Sequence, residues 1–533
     1  MRDERFSTPK EIGRNFKTKE ESSKAGVIVA TKGKKVAYTD TSESHILVTG
    51  GTGTGTGKTQ CCVKDYVAEV IDKGESALVL DIKGDVFKTI AGKAAKTHRV
   101  ICIDLSSPFK SPVKYNPLLQ IYKDYTSRDL ERADQATSAL HDFSYALCED
   151  PQSKEQYWCN SGAEFLDGCI YSLMDITADQ SEVNIASLQS FIVKGEERRG
   201  ASTYLKSLYE FLSDNSLAKN NLTTYVNAPN DTRDSIGSVA KTGLSKLTRS
   251  QGLVEFLSTT ENTLDIATLR PDEKVAIFII IPDETSAKDV VGGMIVKQII
   301  THYLSLARAC GGSLPIRMNV VLEELGSFGF AFSNLPQLLS AGRERNIRIM
   351  LVLQSTGQLD DLYGKSKAAS ILDNIGIHIC FSSNDFAMLK QMSERCGYKT
   401  VKNGGTYREE PIISAQQLAQ MPKLTALVLN GKYKYINKFP LFYDLYPEYK
   451  KFKAPKSKIQ KTGQYKIFEL DKYVEKCRDE RNKALFEKAE TNKHDESESS
   501  AAEKNGEIDD LFKRLLNQVD NMIAEKELEE NEN

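Results

Sequence analysis

A parallel α/β fold is predicted by three features of this 533-residue sequence. Short apolar stretches of strand length alternate with stretches whose apolar residues recur at helical spacing. The first predicted strand leads into a glycine- and threonine-rich loop that ends in Gly-Lys-Thr, as a phosphate-binding P-loop does. The alternation stops for a long, mainly helical stretch and then resumes. The sequence therefore predicts a P-loop α/β domain with an inserted all-α domain and a flexible C-terminal tail.

The composition is that of a soluble globular protein that is long enough for two or three domains. Hydrophobic residues make up 40% of the chain, charged residues make up 27%, and the formal net charge is -2. Because the chain as a whole is not a polycation, any surface that binds nucleic acid must be local. The cysteines and histidines show no spacing typical of a zinc site, which favours reduced thiols.

No stretch has the length and apolarity expected of a membrane anchor. The longest apolar run, VAIFIIIP, is the size of a strand, whereas a membrane helix needs ~18 residues. The first residues are polar and charged, and they do not have the pattern of a signal peptide. We therefore expect a cytoplasmic protein.

The nucleotide-binding domain is expected to begin after a polar lead-in that covers residues 1–44. Its first part, residues 45–124, contains three short apolar stretches that predict strands: HILVTG, SALVLDIKGD and HRVICIDL. The stretches between them predict helices by the spacing of their apolar residues: KTQCCVKDYVAEVID and VFKTIAGKAAK.

Residues 125–268 are expected to form the inserted all-α domain, because their apolar residues recur mainly at helical spacing. The second part of the nucleotide-binding domain, residues 269–453, returns to alternation. Its predicted strands are KVAIFIIIP, RMNVVLEEL, IRIMLVLQS and GIHICFSS, with two closing strands in TALVLNGKYKYINKFPLFYD. Helices are expected between the strands, including one that ends at Arg345 and one near residues 364–374.

Residues 454–533 are expected to be a charged, partly disordered tail. The stretch AETNKHDESESSAAEKNGE has the composition of a disordered linker. Beyond it, a predicted amphipathic helix carries on one face Ile508, Leu511, Leu515, Val519 and Ile523. This helix is expected either to dock on a partner or to pack back on the protein's own core.

The glycine-rich loop predicts a site for the phosphates of ATP. A strand precedes the loop and a helix follows it, so backbone N–H groups and the helix N-terminus can cradle phosphate oxygens. The residues expected to bind the nucleotide are Gly53, Thr54, Gly55, Thr56, Gly57, Lys58 and Thr59. Lys58 is expected to reach the β and γ phosphates, and the Thr59 hydroxyl is expected to coordinate Mg²⁺. Thr52 stands where the general pattern has glycine, but the glycines on either side of it can absorb unusual backbone angles.

Two adjacent acids at the end of a distant strand are the candidates for metal binding and catalysis. Glu323 and Glu324 follow the apolar stretch MNVVL. In P-loop ATPases the usual pair is Asp then Glu, in which the Asp holds Mg²⁺ and the Glu activates the attacking water. We therefore expect Glu323 to hold the metal and Glu324 to act as the general base. Because glutamate is one methylene longer than aspartate, the metal geometry is expected to shift and turnover to be slow.

Three further polar residues are candidates for catalysis. Gln354 follows the next strand, where it is expected to sense the γ-phosphate or orient the attacking water; the alternative is an amide that bonds a loop. Arg343 and Arg345 are candidates for an arginine that acts in trans across a subunit interface, with solvent-facing salt bridges as the alternative. Asp81, Lys83 and Asp85 of DIKGD are expected either to act beside the phosphates or to form a structural turn.

Together these motifs resemble those of the type IV coupling proteins, the hexameric ATPases of conjugation and type IV secretion. In the family's order they are GGTGTGTGKT, DIKGD (Asp-Pro-Lys-Gly-Glu in the family), KYNPL, VVLEELGSFG and GRERNIRIMLVLQSTGQLDDLYG. The stretch QYWCNSGAEFLDGCI is also similar to the aromatic start of the family's helical domain. The resemblance spans roughly residues 45 to 440. In the family the position of Thr52 is often not glycine.

The resemblance implies a RecA-like motor domain with an all-α domain at its membrane-distal end. It implies a homo-hexamer that uses ATP and Mg²⁺ and couples hydrolysis to delivery of a relaxase–DNA complex, with single-stranded DNA, to a secretion channel. Three features depart from the family: Glu323 replaces Asp, Ile82 replaces Pro, and no transmembrane anchor is found. We therefore expect either a soluble relative or recruitment to the cytoplasmic face of the membrane by a membrane-anchored channel component in trans, with residues 1–44 as the contact.

Three functions are compatible with these observations. The favoured one is an ATPase that translocates DNA or delivers substrate. The second is an ATP-binding docking receptor with little or no hydrolysis, which the presence of Glu323 keeps open. The third is a motor for chromosome segregation or phage packaging, against which the coupling-type motifs argue. Contacts with DNA are expected to be to phosphates, and hence salt-sensitive and independent of sequence.

Overall fold

The computed structural model describes residues 4–51, 57–150, 155–262, 264–282, 286–327, 332, 335–403, 406–455 and 465–499. Several predicted positions lie outside these residues: Thr52, Gly53, Thr54, Gly55, Thr56 and the C-terminal positions 508–523. The predictions for these positions therefore stay predictions.

The lead-in before residue 45 contains folded structure that its polar composition did not indicate. Its elements are helix α1 (Pro9–Asn15) and strands β1 (Lys17–Thr18), β2 (Val27–Lys32) and β3 (Val36–Asp40). The three strands pair antiparallel in the order β1-β3-β2. The first four residues of β2 are buried, because this apolar segment lies against the rest of the protein. The reading of this region as a polar lead-in therefore missed a small sheet.

The first part of the nucleotide-binding domain has the predicted alternation of strands and helices. Its elements are β4 (His45–Thr49), α2 (Lys64–Asp72), β5 (Ser76–Ile82), α3 (Asp85–Ala94) and β6 (Arg99–Asp104). A π-helical turn, Thr59–Val63, leads directly into α2. The predicted helix after the glycine-rich loop is thus present, but its first turn is wider than an α-helical turn.

The inserted region is mainly helical. Its elements are α4 (Pro117–Tyr125), α5 (Leu130–Cys148), α6 (Gln156–Ile176), α7 (Ile185–Glu196), β7 (Arg198–Arg199), β8 (Ser202–Thr203), α8 (Tyr204–Phe211), α9 (Leu217–Asn227), α10 (Asn230–Thr248) and α11 (Gln251–Leu257). Helix α6 is buried along most of its length and packs against α5, α9 and α10. The region differs from the prediction in two ways: a helix already begins at Pro117, and β7 and β8 form a short hairpin.

The second part of the nucleotide-binding domain restores the alternation. Its elements are β9 (Val275–Ile281), α12 (Ser286–Ala309), β10 (Met318–Leu322), α13 (Leu335–Glu344), β11 (Ile347–Leu353), α14 (Gly357–Asp373), β12 (Ile375–Phe381), α15 (Phe386–Cys396), β13 (Tyr398–Asn403), β14 (Thr406–Pro411), α16 (Ala415–Ala419), β15 (Thr425–Asn430) and β16 (Tyr433–Lys438). Helix α14 begins earlier than predicted and contains a kink at Gly364, whose φ is 73°. The hairpin of β13 and β14 was not predicted, because its strands are polar.

Among the described residues, a nine-stranded sheet has the order β16-β15-β12-β4-β11-β10-β5-β9-β6. From β12 to β6 all neighbours are parallel, whereas β15 and β16 are antiparallel closing strands. Strands β4, β9, β10 and β11 are buried along their whole length. Parallel strands that are covered on both faces are apolar throughout, which is why their sequences are unbroken apolar runs.

Two layers cover the two faces of this sheet. Because side chains alternate along a strand, Ile46 and Val48 of β4 face one layer and Leu47 faces the other. The first layer contains α2, α3, the N-terminal strands and an aromatic segment after β16. The second contains α12, α13, α14 and the inserted helical region. The helical region therefore shares one continuous core with the nucleotide-binding domain.

Helix α12 is long and strongly apolar. Within the described residues, its segment Ala287–Ala309 is the one helix long and apolar enough to cross a bilayer by length and composition. Most of that segment, 61%, is buried inside the protein. Its apolar side chains, such as Val291 and Ile295, are part of the core beneath the sheet. Such burial is typical of a helix in the core of a folded domain.

The chain after β16 forms a C-terminal strap, which we define as residues 439–455 and 465–474. The first segment contains α17 (Phe442–Leu445) and lies on α2, where the Tyr446 hydroxyl donates to Glu69 Oε2 at 3.1 Å. The second segment lies on the helical region, where Phe468 N donates to Ser187 Oγ at 3.0 Å.

The last element is α18 (Leu470–Ser499), which begins in the strap. It extends into the stretch that was predicted to be a disordered linker, so the backbone of residues 489–499 differs from that prediction. Leu470 and Val474, in its first turns, are buried in the same core as the helical region. The tail therefore contributes to the core at its start, where its sequence still has apolar residues at helical spacing.

We expect Phe468→Ala to destabilise the protein by about 3 kcal/mol, the usual cost of removing a buried phenylalanine. Phe468 is 6% exposed, and its ring lies 6.2 Å from that of Phe191. Thermal unfolding checks this, with Leu485→Ala as the control, because Leu485 is 57% exposed on α18. Equal unfolding temperatures for the two variants would show that the strap does not stabilise the fold.

Candidate nucleotide-binding site

The predicted site residues meet at one edge of the sheet. Strands β4, β11, β10 and β5 are adjacent and parallel, so their carboxyl ends lie side by side. Gly50, Gln354, Glu323 and Asp81 stand at or next to these four ends. In open α/β sheets, ligands bind outside the carboxyl ends of the strands. The sheet order therefore assembles a candidate site from residues far apart in the sequence.

Lys58 lies at the centre of this edge. Its ammonium group donates to the carbonyl oxygen of Gly50, just after β4, and to that of Leu353, the last residue of β11, at 3.0 Å. Burial lowers the pKa of Lys58, while the carboxylates of Glu324 and Glu323 oppose that shift. The side chain is thus a cation held over two strand ends, where a phosphate group can replace the carbonyl oxygens as its partner.

Thr59 and Glu323 form the part of the site that suits a metal ion. The Thr59 hydroxyl donates to Glu323 Oε1, and the backbone N–H of Ile82 donates to Glu323 Oε2 at 3.3 Å. A hydroxyl and a carboxylate are the oxygen ligands that Mg²⁺ prefers. The two side chains therefore fit the metal-binding roles that the sequence predicted for them, including the longer glutamate.

The electrostatics of Glu323 follow from its burial. The residue is 6% exposed, and burial together with the carboxylate of Asp81 raises the pKa of Glu323 to about 8. A cation near Glu323 lowers the free energy of its charged form. The site therefore favours a bound cation over an empty charged pocket.

Asp81 has a structural role in this arrangement. Its carboxylate accepts from Phe87 N at 2.7 Å and from Val86 N at 3.2 Å, both in the first turn of α3. The side chain is fully buried, and burial raises the pKa of Asp81 to about 6. Of the two readings of DIKGD, the geometry therefore favours the structural turn. The turn itself needs left-handed backbone at Lys83 (φ 71°) and Gly84 (φ 73°).

Glu324 and Gln354 form a hydrogen-bonded pair at this edge. Gln354 Nε2 donates to Glu324 Oε1 at 2.9 Å. Both side chains are half-buried, and the backbone of Glu324 is left-handed with φ 56°. A non-glycine residue in this region is uncommon and is often found at functional sites. The amide thus holds the carboxylate in one orientation while leaving it accessible.

Lys64 is a buried lysine at this edge that the sequence did not single out. Lys64 is 6% exposed, and its backbone N–H donates to the backbone carbonyl of Thr59 across the π-helical turn. Burial lowers the pKa of Lys64, and the carboxylates of Asp85 and Asp81 oppose that shift. Because five residues complete roughly one π-helical turn, Lys64 lies nearly beneath Thr59. In an α-helix, Lys64 would lie on a different side of the helix from Thr59, so the sequence pattern did not predict that Lys64 lies at this edge.

Arg343 and Arg345 do not lie at this edge. They precede β11, whose seven residues separate its two ends by roughly 23 Å. Arg343 Nη2 donates to the Asn374 carbonyl at 3.0 Å, and Arg345 Nη1 donates to the Ala341 carbonyl at 3.0 Å. Neither side chain reaches Lys58 of the same chain. Their predicted action in trans, on the site of a neighbouring copy, stays a prediction.

The remaining motifs lie within the helical region. In KYNPL, the Asn116 side chain accepts from Leu118 N at 3.0 Å and so caps the start of α4. It also donates to the carbonyl of Val183 at 2.8 Å, which links α4 to the segment before α7. QYWCNSGAEFLDGCI forms the first turns of α6, the buried helix. These two motifs are explained by packing and helix capping.

Two curated relatives match a part of the chain. The type IV secretion system-coupling protein VirD4 of Bartonella quintana (strain Toulouse) is 31% identical over 108 residues, which is 20% of this chain and 17% of that protein. VirD4 of Bartonella henselae (strain ATCC 49882 / DSM 28221 / CCUG 30454 / Houston 1) is 30% identical over 108 residues, with the same coverage. The match thus spans 17% of the length of each of these relatives.

Two solved structures share the fold over most of the chain. The bacterial conjugative coupling protein TrwBdeltaN70, in a trigonal form with sulphate, has a TM-score of 0.62 at 18% identity and covers 86% of this chain and 96% of its own. Plasmid coupling protein TrwB in complex with ADP and Mg2+ has a TM-score of 0.62 at 18% identity, covering 88% and 96%. The likeness confirms the predicted RecA-like α/β fold with a helical domain.

A family model agrees with this fold. The model for type IV secretory system conjugative DNA transfer matches residues 5–464, which include the sheet, the helical region and the edge that carries Lys58 and Glu323. The match thus covers most of the chain, and it extends beyond the region over which the sequence motifs resemble the family. The chain belongs to this conjugative DNA transfer family, that of the type IV coupling proteins.

Proposed function

We propose that this protein is a coupling ATPase that binds ATP at the edge formed by β4, β11, β10 and β5. The observation that carries the proposal is the convergence of Lys58, Thr59, Glu323, Glu324 and Gln354 at that edge. These residues combine a half-buried cation, an oxygen pair for a metal ion and an oriented carboxylate. They are the parts that phosphoryl transfer to water requires.

Binding of ATP is assigned to the P-loop and to the residues that follow it. The backbone N–H groups of residues 53–57 bind the phosphate oxygens, and Lys58 exchanges its carbonyl partners for the β and γ phosphates. Thr59 and Glu323 would hold Mg²⁺, which would supply positive charge beside the phosphates. TrwB in complex with ADP and Mg2+ supports this choice of ligands through its shared fold.

Hydrolysis is assigned to Glu324 and Gln354. A water molecule attacks the γ-phosphorus, and Glu324 accepts the proton that the water loses. The bond between the γ-phosphorus and the β–γ bridging oxygen breaks, so that ADP and phosphate leave. Gln354 keeps the carboxylate turned toward the water through its 2.9 Å hydrogen bond. Lys58 stabilises the charge that develops on the phosphate oxygens.

The work that hydrolysis drives is proposed from the family. A homo-hexamer delivers a relaxase–DNA complex, through its single-stranded DNA, to a type IV secretion channel. It acts at the cytoplasmic face of the membrane, where a membrane-anchored channel component recruits it in trans. Arg343 or Arg345 then contacts the nucleotide of the neighbouring copy. The family description, conjugative DNA transfer, supports this cargo class.

A docking receptor with little hydrolysis is the second candidate. The observation that favours it is the glutamate at the metal position: Glu323 is buried, bonded to Thr59 and beside Asp81. Because glutamate is one methylene longer than aspartate, Glu323 would hold a metal ion less favourably for hydrolysis. Such a protein binds ATP and holds its cargo without rapid turnover.

Steady-state ATPase activity of the full chain, with and without single-stranded and double-stranded DNA, separates the two candidates. For the coupling ATPase we expect hydrolysis that single-stranded DNA stimulates several-fold. The stimulation should fall steeply as salt rises, because the contacts are to phosphates. ATP binding without turnover under every condition would favour the docking receptor.

A further inference from the structure

Gln358 lies beside the candidate catalytic pair and has no assigned role. It is in the first turn of α14, where its Oε1 accepts from Gln354 N at 2.9 Å. The same oxygen lies 3.5 Å from Ser355 N, a second and longer contact. The side chain therefore folds back from the helix onto the backbone that carries Gln354. Any shift of Gln358 shifts that backbone.

The same amide packs against the segment that carries Glu324. Gly326 lies two residues after Glu324, in the 3₁₀ turn Leu325–Ser327. A Cβ atom at position 326 would stand 2.2 Å from both Cδ and Oε1 of Gln358 and 2.6 Å from its Nε2. No side chain fits at Gly326 while Gln358 keeps this position. The close approach lets the amide plane rest directly on the backbone after Glu324.

Gln358 thus links the two strand ends that supply the catalytic pair. On one side it fixes the backbone of Gln354; on the other it supports the turn after Glu324. The two side chains meet through the Gln354 Nε2–Glu324 Oε1 hydrogen bond of 2.9 Å. Glu324 also has a left-handed backbone, which persists only when its surroundings hold it. Together the three contacts connect Gln354, Glu324 and Gln358.

We infer that Gln358 is the positioning residue for hydrolysis, an inference that rests on the proposed ATPase function. It acts through Gln354 and Glu324 and does not itself touch the nucleotide. It sets the direction of the Glu324 carboxylate toward the attacking water. Gly326 is needed for this positioning, since any larger residue there would displace the Gln358 side chain. ATP binding, in contrast, depends on Lys58 and the P-loop.

Two variants of nearly the same size test the inference. Gln358→Met keeps the length of the side chain but removes the strong acceptor, whereas Gln358→Glu keeps an acceptor oxygen for Gln354 N. We expect kcat to fall by about 100-fold in Gln358→Met, as misplacement of a catalytic group on the order of 1 Å does. Gln358→Glu should keep kcat within about threefold. KM and the affinity for a fluorescent ATP analogue should stay unchanged in both.

A second measurement separates positioning from folding. Gly326→Ala should reproduce the loss of kcat, and the double variant with Gln358→Met should lose no more than either single variant. Thermal unfolding is followed for each protein. A Gln358→Met protein with normal kcat would overturn the inference, and so would a parallel loss of kcat, ATP affinity and thermal stability. A wild-type protein without turnover would overturn the ATPase proposal itself, which the wild-type assay reports before any variant is compared.

Discussion

Lys58→Ala is expected to lower ATP hydrolysis by at least about 100-fold, the usual cost of removing a preorganised group that stabilises developing charge. Lys58 is the cation at the centre of the edge, and its ammonium bonds the carbonyls of Gly50 and Leu353. Alanine cannot reach the β and γ phosphates, so both ATP binding and the transition state lose this charge. Steady-state phosphate release, measured with and without DNA, reports the loss.

The fold should survive this substitution, because the side chain is only half-buried. Water can then reach the two carbonyls that Lys58 leaves. Far-UV circular dichroism and thermal unfolding check this point. Lys365→Ala is the matched control, since Lys365 is an exposed lysine on α14, and it should hydrolyse ATP at the wild-type rate. Undiminished hydrolysis by Lys58→Ala would mean that the nucleotide binds elsewhere.

Glu324→Gln is expected to bind ATP normally and to hydrolyse it about 100- to 10,000-fold more slowly, the range attributed to a general base. The substitution keeps the shape of the side chain and removes only its ability to take a proton. The amide oxygen can still accept from Gln354 Nε2, so the position of the group is preserved. In the proposed site, Lys58, Thr59 and Glu323 bind the substrate and its metal ion, and Glu324 does not.

A single-turnover experiment measures the chemical step directly. The variant should retain bound ATP for minutes while the wild-type protein releases ADP and phosphate. Glu344→Gln is the control: Glu344 is an exposed glutamate at the end of α13, before β11, and its loss should leave turnover unchanged. Wild-type turnover by Glu324→Gln would assign the base to another residue. It would also remove the basis for a positioning role of Gln358.

Much of the sheet could be predicted because its parallel strands can be recognised from their own amino-acid sequences. β4, β9, β10 and β11 are buried on both faces, so their sequences are unbroken apolar runs bounded by turn residues. The convergence of the candidate site residues at one edge could be predicted for the same reason. Catalytic groups in such folds stand just beyond strand ends, where an apolar run gives way to Glu323, Glu324 or Gln354.

The small sheet of residues 17–40 could not be predicted in the same way. Its strands are short, and the neighbours of the apolar segment VIVA are polar and charged. The C-terminal strap was missed for a related reason. Phe468, Leu470 and Val474 lie in a charged stretch, and only their contact with the helical region shows that they are core residues.

Local patterns thus specify which segments are strands and helices, which loop is the candidate phosphate-binding loop and which polar residues end the strands. These properties depend on neighbours along the chain, so the amino-acid order contains them. The fold decides four other properties: the strand order, the burial of Lys64 beneath Thr59, the support of Gln354 by Gln358 and the distance of Arg343 from Lys58. Each of them is a relation between residues that only packing brings together or keeps apart. Packing is driven mainly by the burial of apolar surface, which is non-directional, so the local sequence does not specify which segments meet.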